Sequence, residues 1–132
     1  MTCRTALSGQ PPVMIEFPPS VRHCANRIDP GYEHTDDVEG YVFDGVDGSQ
    51  VAFWTCHGER ESSPHTHPFD EYLVVVAGRY VVTLLGGEVE LGPGDELVIG
   101  RGIEHGGRAI AGTRTIHHFA GRRADRTGST AR

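Results

Sequence analysis

Short runs of apolar and β-branched residues recur along the chain and are separated by polar turns. The turns contain Asp-Gly, Gly-Gly and Gly-Pro pairs, which are typical of tight reversals between strands. No window shows the 3.6-residue period of a convincing helix. Runs that predict strands lie at 13–17, 39–43, 50–57, 71–78, 79–87, 88–91, 96–100 and 113–119. About eight short strands predict an all-β sandwich or barrel.

The pattern also predicts how these runs connect. The run at 13–17 stops at Pro18-Pro19, which favours an edge strand. Runs 71–78 and 79–87 are predicted to pair as a hairpin through Ala77-Gly78. Between the runs, 58–64 is predicted as a polar loop and 101–107 as a glycine-rich turn. The chain divides into a flexible N-terminal segment (1–12), a barrel domain (13–120) and a flexible basic tail (121–132).

Length and charge narrow the classes of function. A chain of 132 residues has the size of a single domain. The net charge is −6 and all twelve basic residues are arginine, so Schiff-base chemistry on a lysine is excluded. An acidic body argues against nucleic acid as a partner. No nucleotide-binding or serine-hydrolase motif is present, and no apolar stretch is long enough to span a membrane.

The three cysteines do not suggest a structural framework. Cys3, Cys24 and Cys56 are odd in number and lack CxxC spacing, so a disulfide framework is not expected. The first twelve residues lack the apolar core of a signal peptide. A reduced, cytoplasmic environment is therefore the default expectation.

Candidate chemistry is concentrated in the stretch HTHPFDE at 65–71. Alternate residues of a strand share a face, so His65 and His67 are predicted to point the same way, with Glu71 close by. Histidine and glutamate are ligands for Zn, Fe, Mn and Ni. A fourth ligand must come from elsewhere, and His105, inside the glycine-rich turn, is the best candidate. Surface histidine pairs without a metal are the competing interpretation.

Two spaced motifs resemble those of the cupin superfamily. The first is Gly58, six residues, His65-Thr-His67, three residues, Glu71, six residues and Gly78; its first spacer is one residue longer than usual. The second is Gly94, five residues, Gly100, and His105 five residues later, with Gly100 at the usual proline and Ala109 at the usual asparagine. Fifteen residues separate the motifs, which is similar to microbial cupins with short spacers.

The resemblance implies a fold, a site and a range of functions. It implies a double-stranded β-helix, the cupin jelly-roll barrel, in which His65, His67, Glu71 and His105 ligate one divalent metal (Fe, Zn, Mn or Ni). It further implies a homodimer, with 13–17 as a candidate to pack across the interface. We expect a metalloenzyme acting on a small oxygen-bearing organic molecule, of the dioxygenase or isomerase/lyase type. The alternative is a cupin that binds or senses a small ligand without catalysis.

Further residues are candidates for the pocket. In the last strand His117 shares parity with Phe119, so we expect His117 to face inward and His118 outward. His117 and Glu71 are then the candidate catalytic residues. Candidate substrate-contacting residues are Phe53, Phe69, Tyr80 and Phe119, although packing in the core or on a sheet face is the commoner role of aromatic residues.

Overall fold

Nine β-strands supply most of the regular structure in residues 15–29 and 37–127, which are the residues that the computed structural model describes. One short 3₁₀ helix (Cys24–Asn26) precedes them. The strands are β1 (Val38–Asp44), β2 (Gln50–Cys56), β3 (Arg60–His65), β4 (Glu71–Ala77), β5 (Tyr80–Leu84), β6 (Gly87–Leu91), β7 (Glu96–Ile99), β8 (His105–Ala109) and β9 (Arg114–Phe119).

The strands form two antiparallel sheets. A five-stranded sheet has the order β1-β2-β9-β4-β7, and a four-stranded sheet has the order β3-β8-β5-β6. From β2 onward, successive strands lie in opposite sheets, except for β5 and β6, which share one sheet. This alternation is the pattern of a jelly roll. The predicted all-β, single-domain jelly-roll barrel is confirmed. None of the helices within the described ranges is long and apolar enough to cross a membrane.

The predicted hairpin between 71–78 and 79–87 is wrong. β4 pairs with β7 and β9, whereas β5 pairs with β6 and β8, so the chain crosses from one sheet to the other at Gly78. Gly78 has a φ of +85°, and a Cβ there would lie 2.6 Å from the Cα of Thr113. Only glycine meets both demands without strain. The glycine at the end of β4 therefore correctly predicted a change of chain direction. It did not predict that the chain would enter the other sheet.

Two strands were missed because their composition is unusual. β3 contains Ser62, Ser63 and Pro64 and occupies the edge of its sheet, where a proline costs no ladder hydrogen bond. β8 contains two glycines, because a Cβ at Gly106 would lie 2.9 Å from a backbone oxygen of the neighbouring strand. In contrast, residues 15–17 of the predicted first strand are not extended into a sheet, and 13–14 lie outside the described residues.

Buried apolar side chains form two separate clusters. One cluster contains Leu73, Val75, Val82, Leu91 and Ile99. The other contains Ile28, Val42, Ala52, Phe119 and Ala124. A further group of buried residues is polar, which is costly unless they bind something or one another; it includes His67, Glu71, His105, Thr115 and His117. The fold thus places a polar centre inside an apolar barrel.

The segment after β9 belongs to this packing. Ala124 is buried in the second cluster, and Arg126 forms an isolated bridge with Ile28. The Arg126 guanidinium donates to the Val42 carbonyl (2.8 Å) and contacts an Asp44 carboxylate oxygen at 2.7 Å. Ordered packing therefore continues to at least Arg126, whereas a frayed tail from residue 121 was expected.

One expectation about the cysteines also fails. Cys24 is disulfide-bonded, whereas Cys56 is free and half-buried. Burial raises the pKa of the Cys56 thiol, so that side chain behaves as a small apolar residue.

Candidate metal centre

Three histidines from two strands and one loop converge inside the barrel. His65 ends β3, His67 follows in the loop, and His105 begins β8, directly opposite His65 in the strand register. Their ring centroids lie 4.5–5.2 Å apart. One nitrogen from each ring lies within 4.8 Å of the others, which is a spacing that one metal ion can bridge. The predicted histidine set is therefore brought together.

Backbone carbonyls hold two of these rings in a ligating orientation. His65 Nδ1 lies 2.8 Å from the Ser63 carbonyl oxygen, and His105 Nδ1 lies 2.9 Å from the Ile103 carbonyl oxygen. A carbonyl only accepts, so each Nδ1 carries the hydrogen and each Nε2 keeps a lone pair toward the centre. His67 is held differently, because its ring stacks on Phe69 with the planes 3° apart and the centroids separated by 5.1 Å.

Glu71, the first residue of β4, completes the group. Its Oε1 lies 3.4 Å from His67 Nε2 and 3.3 Å from His105 Nε2. Both His67 Nε2 and Glu71 Oε1 are buried, and neither has a hydrogen-bond partner among the described residues. Buried polar atoms without partners are rare and costly. Two of them facing each other beside two further histidines fit the donor set of a divalent transition metal.

His117 positions the carboxylate from behind. His117 Nδ1 lies 2.8 Å from Glu71 Oε2, and its Nε2 lies 3.0 Å from the Thr115 hydroxyl oxygen. Both contacts are buried, and β9 delivers the two side chains from its inward face. This holds one carboxylate oxygen toward His117 and turns the other toward the histidine cluster. The structure places His117 inward and leaves His118 exposed.

Burial and neighbouring groups shift the pKa values of three residues of the centre, Glu71, His65 and His105. Burial alone would raise the pKa of Glu71, but the neighbouring side chains of His105, His117 and His67 outweigh burial and hold that pKa far below its usual range. Burial lowers the pKa of His65, against a smaller opposing effect of the Ser63 carbonyl. Burial would lower the pKa of His105, but the Glu71 carboxylate beside it outweighs burial and raises that pKa. Metal ligation requires an ionised Glu71 and neutral imidazoles, so the shifts at Glu71 and His65 favour it and the shift at His105 opposes it.

A cavity of about 480 Å³ opens beside the histidines. Tyr80 and Phe119, two of the residues proposed to contact a substrate, line this cavity. Phe53 does not, because strand alternation turns it to the outer face of the sheet, where it packs edge-on against Phe17 and Phe43. Phe69 lies behind His67 and supports that ring, so it contacts the centre without lining the cavity.

Two charged cavity residues were not predicted. Arg60 was assigned to a polar loop and Arg123 to a flexible tail, yet both line the cavity and both are half-buried. The only signal for Arg60 was its place five residues before His65. Nothing in the local sequence of Arg123 shows that its segment packs back onto the barrel.

Comparison with known families agrees with this geometry. Residues 53–117 match the cupin domain family. That range spans the three histidines, Glu71 and His117, and the two-sheet fold is the one seen in many solved cupins. The chain belongs to the cupin superfamily. Comparison with curated proteins gave no match.

Solved structures similar to this chain include proteins with different descriptions. KdgF from Halomonas sp. is 25% identical, with a TM-score of 0.60 over 66% of this chain and 81% of that one. An RmlC-like cupin from Shewanella frigidimarina is 19% identical, with a TM-score of 0.64 over 75% and 86%. A salicylate 1,2-dioxygenase from Pseudaminobacter salicylatoxidans is 13% identical, with a TM-score of 0.60 over 65% and 27%. The last two show the shared fold alone.

Proposed function

We propose that this chain is a metalloenzyme that binds one divalent transition metal through His65, His67, Glu71 and His105. Its substrate would be a small organic molecule that presents an oxygen atom to the ion. The observation that carries the proposal is the buried pair His67 Nε2 and Glu71 Oε1, which face each other without hydrogen-bond partners. With a five- or six-coordinate ion, four protein ligands would leave a position for a substrate oxygen, and the adjoining cavity gives the substrate room.

The protein residues divide the work at this site. A bound divalent ion would act as a Lewis acid on a substrate oxygen. His117 holds Glu71 through the 2.8 Å contact and is the nearest group that can accept or return a proton there. Thr115 fixes the other ring nitrogen of His117. Tyr80 and Phe119 wall the cavity and exclude bulk water from the reacting atoms.

The test is metal content measured on protein purified without a tag or chelator. We expect close to one equivalent of Fe, Zn, Mn or Ni per chain, and its loss in His67→Ala. His118→Ala is the matched control, since His118 is exposed on the opposite face of the last strand. Absence of metal in the wild type, with none taken up on reconstitution, would refute the proposal. An unchanged metal content in His67→Ala would refute this ligand set.

The identity of the metal then selects the reaction class. Stoichiometric iron together with consumption of O₂ would support a dioxygenase, which is the activity named for one structurally similar protein. Zinc, manganese or nickel would favour isomerase or lyase chemistry, measured with small sugars and organic acids. Metal binding and ligand binding without turnover would instead support a non-catalytic cupin.

A homodimer forms part of the same proposal. Val76 on β4 and Val98 on β7 lie on the outer face of the five-stranded sheet and are 37% and 66% exposed. A second copy of the chain would cover these apolar side chains. Light scattering of the metal-loaded protein should give twice the chain mass, and Val98→Glu should shift it toward the monomer. A monomeric wild type would contradict the dimer and leave the metal site untouched.

A further inference from the structure

One wall of the cavity is apolar. Ile28, Phe119 and Ala124 belong to the same apolar cluster and line the cavity, and so does Trp54, which packs against that cluster. The other apolar cluster, which contains Leu73, contributes none of its buried residues to the described lining. The cavity therefore joins the metal-ligand residues to only one of the two apolar clusters.

Gly40 fixes the position of the Trp54 side chain. The two residues face each other in the pairing of β1 with β2. A Cβ at Gly40 would lie 2.5 Å from Cζ3 and 2.6 Å from Cε3 of Trp54, so the six-membered ring of the indole lies directly on the glycine backbone. Any side chain at position 40 would have to displace that ring. Because Trp54 is half-buried and lines the cavity, part of the indole surface faces the cavity.

Strand pairing places Trp54 close to the residues that orient Glu71. Trp54 faces Thr115 in the pairing of β2 with β9, and the Thr115 hydroxyl oxygen lies 3.0 Å from His117 Nε2. His117 in turn holds the Glu71 carboxylate. Side chains that face each other in an antiparallel pair lie within about 4.5–5.5 Å at Cβ. A ligand that reaches the metal-ligating residues can therefore also contact the indole.

Much of the polar lining outside the metal centre comes from a different element. Arg60, Glu61, Ser62 and Ser63 all belong to the edge strand β3, and Glu61 and Ser63 are exposed. This side of the cavity adjoins solvent, whereas Trp54 lies on the side covered by the core. A ligand group placed against Trp54 must displace water from apolar surface, which is favourable only for an apolar group.

We propose that the substrate has an oxygen-bearing end that binds the metal and an apolar body that packs against Trp54. The inference rests on the proposed metal site, since it names the substrate class of that same cavity. Trp54 is the specificity-determining residue, because its aromatic rings offer a large apolar contact area in a fixed orientation. A polyhydroxy molecule of the same size would bury hydroxyl groups against apolar side chains, which is costly.

The experiment varies the body of the ligand and keeps its metal-binding head the same. Acetohydroxamate, benzohydroxamate and gluconohydroxamate share a hydroxamate head that chelates divalent ions, and they carry a methyl group, an apolar ring and a polyhydroxy chain. Each is titrated by calorimetry into zinc-loaded protein. We expect benzohydroxamate to bind about tenfold or more tightly than the other two, since its ring buries apolar surface.

Fluorescence tests the contact with the indole directly. Trp54 is the single tryptophan of the chain, so all tryptophan emission comes from the cavity wall. Zinc is used because this ion has no redox chemistry and no unpaired electrons that would quench the emission. Saturation with benzohydroxamate should change the intensity or the wavelength of the emission. Acetohydroxamate, which has no ring to place against the indole, should change the emission much less.

Two matched variants separate the apolar wall from general effects of substitution. Phe53→Ala is the control for Trp54→Ala, because Phe53 is the neighbouring aromatic residue on β2 but packs on the outer face of the sheet. Trp54→Ala should weaken benzohydroxamate about tenfold and leave acetohydroxamate unchanged. Phe53→Ala should change neither. The comparisons on the wild type need no variant, so they remain decisive even if Trp54→Ala does not fold.

Several outcomes would overturn the inference. They are equal affinity of the wild type for acetohydroxamate and benzohydroxamate, tightest binding of gluconohydroxamate, unchanged emission at saturation with benzohydroxamate, or equal losses in Trp54→Ala and Phe53→Ala. Each of these results, obtained on protein that holds about one zinc per chain and binds a hydroxamate, leaves the metalloenzyme proposal standing. Failure of the wild type to bind zinc would refute the metal site and this inference with it.

Discussion

Replacing Gln50 with leucine should release the segment that carries Arg123. Gln50 is 1% exposed and makes four side-chain contacts at hydrogen-bond distance. Its oxygen accepts from the N–H groups of Arg123 and Ala124, and its nitrogen donates to the Ala124 carbonyl (3.1 Å) and to Asp44 (2.9 Å). Leucine has a similar volume, so packing is nearly conserved while every one of these contacts is lost.

The expected fall in the free energy of unfolding follows from the backbone groups that lose their hydrogen-bond partner. Two backbone N–H groups and one carbonyl would lose their partner, and each buried polar group left unsatisfied costs about 1–3 kcal/mol. The segment can relieve part of this cost by moving away from the barrel into water, at the expense of uncovering Ala124. We therefore expect the free energy of unfolding to fall by about 2–4 kcal/mol rather than by the full sum.

Two assays together test that reasoning. Urea denaturation of the metal-loaded protein measures the loss of stability. Limited digestion with trypsin measures local release, because Arg122, Arg123 and Arg126 are its cleavage sites in the segment. Gln50→Leu should be cleaved there much faster than the wild type, at a denaturant concentration where both remain folded.

Thr113→Val is the matched control. Thr113 is equally buried, and its hydroxyl bonds the N–H and the carbonyl of Arg79 (both 3.1 Å), away from the C-terminal segment. It should lose stability without faster cleavage after Arg122 or Arg123. The proposed role of Gln50 in holding the backbone of Arg123 and Ala124 would be refuted by either of two results. One is a loss of stability below about 0.5 kcal/mol in Gln50→Leu, and the other is identical cleavage of the two variants.

Three further results are expected. His117→Ala should weaken metal binding about ten- to a hundredfold in a chelator competition, because Glu71 loses the partner that orients it. Gly107→Ala should lower stability by about 1–3 kcal/mol, since its Cβ would overlap the Tyr80 hydroxyl. The hydrogen bond from Gln50, and then the hydrogen bond and the charge of Arg126, lower the pKa of Asp44, so its stabilising contribution is present above the unfolded pKa and is lost as pH falls through the folded pKa.

Each of these results has a control. His118→Ala removes an exposed histidine from the same strand and should bind metal as the wild type does. Gly92→Ala adds a Cβ whose nearest neighbour is 3.8 Å away and should leave stability almost unchanged. For Asp44, urea denaturation between pH 3 and 6, a range chosen to bracket the usual carboxyl pKa of about 3.9, should show a shallower acid dependence in Asp44→Asn. Equal dependence in both proteins would contradict its pairing.

The strands were predicted correctly from the sequence where one face of the strand is apolar. Alternating or β-branched runs identified β1, β2, β4, β5, β6, β7 and β9, because a strand buried on one face must carry apolar residues at that spacing. The prediction failed for β3, a polar edge strand that contains a proline, and for β8, where close approach of the neighbouring backbone selects glycine over apolar residues. The sequence also did not predict which strands share a sheet, because turn residues do not indicate which sheet contains the next strand.

The candidate ligands were predictable because their spacing is local. His65, His67 and Glu71 lie within seven residues, and His105 carries the spacing of a known motif. His117 was predicted to face inward from the parity of its strand. Its contact with Glu71, however, joins residues 46 positions apart and follows only from the pairing of β4 with β9. The prediction that Phe53 lines the cavity is wrong because an aromatic side chain can pack on either face of a sheet. Its residue type therefore does not show which face it occupies.

By itself, the sequence determined the class of fold, the donor atoms available to a metal and the direction of most strand faces, because these depend on periods of two residues and on short motifs. Tertiary structure alone decided which polar atoms end without a partner and which arginines line the cavity. Those properties arise from long-range packing: Gln50 reaches across 73 residues to hold the backbone of Arg123. A tail rich in arginine is indistinguishable from a solvated end until the barrel supplies the surface that it covers.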